Sequence, residues 1–184
     1  NNTPGFEWPK GSGKTAIYTT GLTLGAYVNN QLRLATASYS GEFVPGYCVN
    51  GVLQTNSTFK LYKVTAGDNQ FTNPDWANWG LMVPYDAPYK DINLNGTYEP
   101  AIDIPGVIGA TQTIFICLTD ADPTAHNVSE GFSGGTTPLG AEVHMTAWCY
   151  NIPPFQDMQF LKWIVINKST AVWDSTLLSI VSDP

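Results

Sequence analysis

The 184 residues carry 8 basic and 15 acidic side chains, a formal net charge of −7, with 12% of the chain charged and 43% hydrophobic. With one Arg, seven Lys and no basic patch to neutralise phosphates, the composition argues against a nucleic-acid partner. The longest apolar runs, such as IFICL at 114–118, fall far short of the roughly 20 residues a membrane-spanning helix requires, so no membrane span is predicted.

Residues 1–14 show no periodicity and read as an extended N-terminal arm ahead of a single β-sandwich domain over 15–184. GSGKT at 11–15 resembles part of a phosphate-binding loop, but Trp8 stands where that loop needs its first Gly. A strand-like TAIYTT, not a helix, follows. The segment reads as a Gly/Ser turn. TAIYTTGLTLGAYV (15–28) and QLRLATASY (31–39) alternate in the manner of strands, and Asn29-Asn30 between them can adopt a tight primed turn, which predicts a β-hairpin over 24–37. Residues 40–58 are dense in Gly, Pro and Asn and read as a long loop.

FKLYKVT (59–65) alternates again as a strand. The stretch TNPDWANW predicts a short helix, with Asn73 as cap, Pro74 in the first helical position and Asp75 complementing the helix dipole. Trp76 and Trp79 then lie three apart, on one face that plugs the edge of the core. Residues 80–110 form a second long loop, and loops of this length inside a compact domain usually carry a function or a bound ion. Segments 111–120, 141–150, 160–167 and 175–181 complete the strands. The last three are apolar on both faces in places, which predicts inner strands of two packed antiparallel sheets. The fold class predicted is an all-β, two-sheet antiparallel sandwich with long loops and one short helix. A start at Asn1 and a stop just after SDP at 182–184 predict a processed or trimmed part of a longer chain.

Chemistry concentrates in Asp91-Ile-Asn93-Leu-Asn95-Gly96-Thr97. Oxygen side chains at positions 1, 3 and 5, a Gly at 6 and a backbone carbonyl at 7 curl a loop around a hard cation, and Ca²⁺ takes six to eight such oxygens. Position 12 is Ile102, so Asp103 is the expected carboxylate, with Glu99 behind it. The predicted Ca²⁺ ligands are therefore Asp91, Asn93, Asn95, Thr97 and Asp103, of weak, extracellular-type affinity; the bland alternative is an Asn/Gly turn held by its own hydrogen bonds.

Among the 23 aromatics, Trp76, Trp79 and Tyr85 are the candidates for stacking a glycan, although core packing is the commoner fate of such residues. Glu142 and His144 share a strand face and read as a hydrogen-bonded pair. His126 beside Asp120 and Asp122 reads as turn chemistry more than as a metal site. No catalytic signature accompanies them. Cys48, Cys117 and Cys149 allow one disulfide in three pairings plus a free thiol, or none. Glycosylation sequons begin at Asn1, Asn56, Asn95, Asn127 and Asn167.

Four segments occur in an order that resembles a known group: FEWPKGSGKTAIYTTGLTLGAYVNNQLRLATASYSGEFVPG, DWANWGLMVPYDAPYKDINLNGTYEPAIDIPGVIGATQTIFICLTD, PLGAEVHMTAWCY and FLKWIVINKSTAVWDSTLLSIVSDP. Together they look like the amino-terminal part of large secreted proteins of Gram-negative bacteria that use the type IX secretion route. The resemblance implies an extracellular or cell-surface location and no particular activity. The corresponding loop in that group is richer in Asp, so Asn93 and Asn95 imply weaker Ca²⁺ binding here. The leading expectation is a non-enzymatic, Ca²⁺-supported structural protein that self-associates into filaments through sheet edges or the N-terminal arm. The alternative is a carbohydrate-binding or adhesive module of a secreted multidomain protein.

Overall fold

The computed structural model describes residues 5–38, 41–126 and 135–184. In chain order the strands are β1 (Phe6–Glu7), β2 (Thr15–Ile17), β3 (Thr19–Val28), β4 (Gln31–Thr36), β5 (Val44–Pro45), β6 (Tyr47–Val49) and β7 (Val52–Gln54). After β8 (Tyr62–Thr65) comes the helix α1 (Pro74–Asn78), two 3₁₀ turns (Trp79–Leu81, Val83–Tyr85) and the short strands β9 (Tyr89–Lys90) and β10 (Ile104–Pro105). Four long strands close the chain: β11 (Gln112–Thr119), β12 (Ala141–Cys149), β13 (Gln159–Asn167) and β14 (Asp174–Asp183). The fold is all-β, of the sandwich-like class, with several antiparallel sheets and one short helix, as the alternation of the sequence predicts. Among the described residues no helix is long and apolar enough to cross a membrane.

The chain divides into two compact units. The first comprises Asn1–Gln54, Thr119–Glu142 and Asn167–Pro184; the second comprises Thr55–Leu118 and Val143–Ile166.

The first unit is built on a three-stranded sheet in the order β14-β3-β4. Asn29 and Asn30 take φ of 52° and 62° and close the β3–β4 hairpin with Val28 opposite Gln31, the primed turn the two Asn predict. Along β3 every second residue (Leu22, Leu24, Ala26, Val28) is buried, which is the period of 2 that a one-sided sheet imposes. β14 lies on the other side of β3 and is exposed over most of its length. Both β13 and β14 end their sheets, so of the three strands predicted to be inner ones only β12 is flanked on both sides. The apolar residues of β13 are largely half-buried, Phe160 stacking on Trp148, whereas those of β14 are mostly exposed.

Two further hairpins belong to this unit. Asn50-Gly51, both at positive φ, joins β6 to β7 inside the segment read as loop, with Val49 opposite Val52. The described part of the N-terminal arm includes the strand β1. It folds back so that Phe6 faces Ile17, with Gly5 donating to the Tyr18 carbonyl at 2.9 Å and Trp8 to that of Lys14 at 3.0 Å.

In the second unit β13, β12 and β11 run side by side and β8 pairs with β11, Tyr62 opposite Phe115 and Thr65 opposite Gln112. The predicted helix is present. Asn73 Oδ1 accepts the Asp75 N–H at 2.8 Å and Pro74 opens the first turn. The Asp75 carboxylate accepts the Lys63 N–H at 2.9 Å and pairs with Lys60, which ties α1 to the start of β8. Trp79 follows the helix into the core, fully buried, edge-on to Tyr62 and tilted against Phe115. Its indole N–H, which would cost free energy if left unpaired, donates to the Pro88 carbonyl at 2.9 Å.

Candidate functional site

The 91–103 loop hangs from a minimal hairpin. β9 and β10 pair with Lys90 opposite Ile104, which brings Asp91 and Asp103, the next residue on each side, to the base of the loop. Asp91 folds the loop over itself. Its Oδ1 accepts N–H groups from Leu94 (2.7 Å) and Asn95 (3.3 Å), and its Oδ2 accepts that of Gly96 (2.7 Å). Leu94 and Gly96 sit at φ of 60° and 76°, the left-handed conformations that bend the chain back toward the carboxylate. Asn95 Oδ1 takes the Thr97 N–H at 2.8 Å, and Thr97 itself is exposed.

The three middle side chains meet at one atom. Asn93 Nδ2 and Asn95 Nδ2 donate to Glu99 Oε2 at 2.7 and 2.6 Å. Glu99, ranked second from spacing alone, is therefore the carboxylate on which the two amides converge. Asp103, the expected one, is buried, with Oδ1 accepting the Ile92 N–H at 2.9 Å and Oδ2 that of Glu99 at 2.7 Å. Asp103 thus fixes the backbone on which Glu99 stands. Burial, followed by the charges of Asp91 and Asp103, holds the Tyr89 phenol above its ordinary value; Tyr98 is raised by burial and then by Asp103. Tyr98 packs edge-on against Tyr89 and donates its hydroxyl to the Trp76 carbonyl at 2.7 Å, which anchors the loop to α1. Asp91, Asn93, Asn95 and Glu99 thus cluster within one turn of chain, with the Asp91, Asn93 and Asn95 oxygens bonded to the loop's own N–H groups and the two amide nitrogens turned to Glu99.

The three aromatic candidates do not share a stacking face. Trp79 is fully buried, and Tyr85 is packed edge-on against Phe59 (5.2 Å between centroids) and His144 (6.1 Å). Of the three, Trp76 borders a cavity of about 390 Å³ in the second unit. No periodicity signals that cavity, because its walls come from β8 and the turn after it, α1, β10 with its connection to β11, and β11.

The remaining candidates resolve into local structure. The N–H of Gly13 in the GSGKT turn points at Glu7 Oε1, 2.5 Å away. Amide hydrogen bonds from Gly13 and Gly11 hold the Glu7 carboxyl below its usual range, so this turn cradles the protein's own carboxylate. Glu142 Oε2 accepts the Cys48 N–H at 2.9 Å, and Lys168 Nζ lies 3.6 Å from its other oxygen. His144 Nδ1 meets Asp86 Oδ2 at 2.8 Å, a partner far away in sequence that spacing could not supply. Asp120, buried, accepts the Leu139 and Ala141 N–H groups at 2.6 Å each, and burial nonetheless pushes its carboxyl up. His126 Nε2 lies 2.8 Å from the Asp120 carbonyl oxygen, and Asp122 binds Thr124. No disulfide joins Cys48, Cys117 or Cys149, and burial raises the thiol of Cys48. Asn1 and Asn127, with their sequons, lie outside the described residues.

Compared with family models, curated proteins and solved structures, the chain matches none.

Proposed function

We propose that the protein is a non-enzymatic, extracellular or cell-surface structural module whose 91–103 loop binds Ca²⁺ and which self-associates through its sheet edges. The reading rests above all on the meeting of Asn93, Asn95 and Glu99 beside the Asp91 turn. The amide N–H groups of Asn93 and Asn95 hydrogen-bond Glu99 Oε2, while their oxygens accept the N–H groups of Asn95 and Thr97. Rotation of each amide by half a turn would place oxygens there instead, and a divalent ion would replace the donated hydrogens. Low charge density supports close subunit packing, because few like charges are brought together.

Calorimetry and thermal melting with Ca²⁺ or a chelator test the ion. At Ca²⁺ about 100-fold above Kd, binding to the folded state alone adds about 2.7 kcal/mol, which for a chain of this length raises Tm by several degrees. Glu99→Gln should remove most of that rise while leaving the chelated protein's Tm nearly unchanged. A flat calorimetric trace together with equal melting temperatures would discard the ion.

A further inference from the structure

The cavity beside Trp76 has the attributes of a small-ligand site. Its volume, about 390 Å³, lies near the lower end of the roughly 300–1,000 Å³ of ligand pockets. No charged residue lines it, so an ionic ligand would lose hydration without gaining a counter-charge. Trp76 supplies an aromatic wall that is fixed in place. Its Nε1 donates to the Pro100 carbonyl at 3.0 Å, and its own carbonyl accepts the Tyr98 hydroxyl. Ile104, Pro105 and Val107 add apolar surface.

Two hydroxyls complete the lining. Thr113 Oγ1 accepts the Val107 N–H at 3.0 Å, and Thr65 Oγ1 accepts from Gln112 Nε2 at 3.2 Å. Each hydroxyl uses a lone pair in these bonds and keeps its own hydrogen to donate. Gly67 and Gly109 stand on the cavity wall where a Cβ would meet nothing within 4 Å, so the space in front of their backbones is open to a ligand.

From these features we propose that the cavity binds one neutral pyranose ring, the terminal hexose of a glycan, stacked on Trp76 and held by the Thr65 and Thr113 hydroxyls. A pyranose has the required duality: an apolar C–H face for the indole and equatorial hydroxyls for hydrogen-bond donors. A purely aromatic or aliphatic ligand would offer no acceptor to the hydrogens of the two threonine hydroxyls. The inference is independent of the Ca²⁺ reading, since none of the carboxylates or amides of the 91–103 loop lines the cavity.

Amide and indole NMR shifts of the full chain, titrated with methyl glucoside, methyl galactoside, methyl mannoside and N-acetylglucosamine, test the site. At least one sugar should saturate shifts of residues 65–67, 76 and 107–113, while glucuronate should not. Trp76→Ala should weaken that binding at least tenfold, and Trp76→Phe, which keeps a stacking face, should retain part of it. Because Trp76→Ala could disturb α1, Ile104→Glu serves as a second variant: its side chain is 46% exposed, and the added charge should abolish binding with the fold preserved. Absence of a saturable shift with all four neutral sugars overturns the proposal. So does saturation by benzyl alcohol without any sugar response, or sugar binding unaffected by both variants.

Discussion

β3 and β14 are neighbours in one sheet with matched residues: Leu24 stands opposite Leu178, and Leu22 opposite Ile180. Directly opposed residues of an antiparallel pair point to the same face, yet Leu24 and Leu22 are 0% and 7% exposed while Leu178 and Ile180 are 58% and 59% exposed. The side chains are chemically equivalent and the backbone ladder is shared. Edge position alone does not account for the difference: β4 is the other edge of this sheet among the described residues, yet Ala35, opposite Leu24, is 0% exposed, so what differs is what covers the face at each strand. Apolar character makes burial favourable, but neighbours decide whether it happens.

Truncating the two sides of one register pair sharpens this contrast most. Leu24→Ala removes a fully buried side chain and should cost about 2–5 kcal/mol, through lost transfer energy and the cavity left behind. Leu178→Ala at the opposed position should cost under about 1 kcal/mol, because the side chain is already largely hydrated. Denaturant melts of both variants check the difference. Equal losses would mean that β14 is covered in solution.

The next effect lies on the opposite face of β3. A Cβ at Gly21 would stand 1.7 Å from the Ala37 carbonyl oxygen, a backbone atom that cannot rotate aside. Gly21→Ala should therefore force β3 away from the chain at Ala37 and cost about 1–3 kcal/mol, in the range of overpacked positions. Hydrogen exchange should show it as faster opening at Ala37, whose N–H donates to the Leu22 carbonyl at 2.9 Å. Unchanged protection there would show that the strand accommodates the methyl group.

These strands were legible because alternation is a local property: Leu22, Leu24, Ala26 and Val28 announce a buried face, and Asn29-Asn30 announces its turn. The β6–β7 hairpin was legible too, in Asn50-Gly51 between Val49 and Val52, but the surrounding density of Gly, Pro and Asn obscured it. The ligand-type spacing of Asp91, Asn93 and Asn95 could be read directly, since it is fixed within one turn of chain. The roles of Glu99 and Asp103 could not, because they depend on which carboxylate the β9–β10 pairing turns toward the backbone. Tertiary proximity alone joined Asp86 to His144 and assembled the cavity beside Trp76 from four segments. The edge position of β14 was equally hidden, since a strand's sequence does not record how many partners it has.

That edge gives the smallest expected effect on stability and the most direct test of self-association. Residues 175–182, STLLSIVS, carry no charge and no Lys of the kind natural edge strands use to discourage pairing, and past the register shift between Asp174 and Leu177 the ladder runs regularly to Asp183. Leu177 is 76% exposed on one face, and Leu178 and Ile180 are exposed on the other. A second strand laid along β14 would extend the sheet and cover one of these rows. Leu178→Lys puts a charge where such a strand must pack, yet at an exposed site it should change unfolding free energy by no more than about 0.5 kcal/mol. Sedimentation velocity and negative-stain microscopy should then show wild-type assemblies lost in the variant while both proteins melt together. If assemblies persist with Lys at 178, the contact lies elsewhere, and the contrast between β3 and β14 is one of exposure alone.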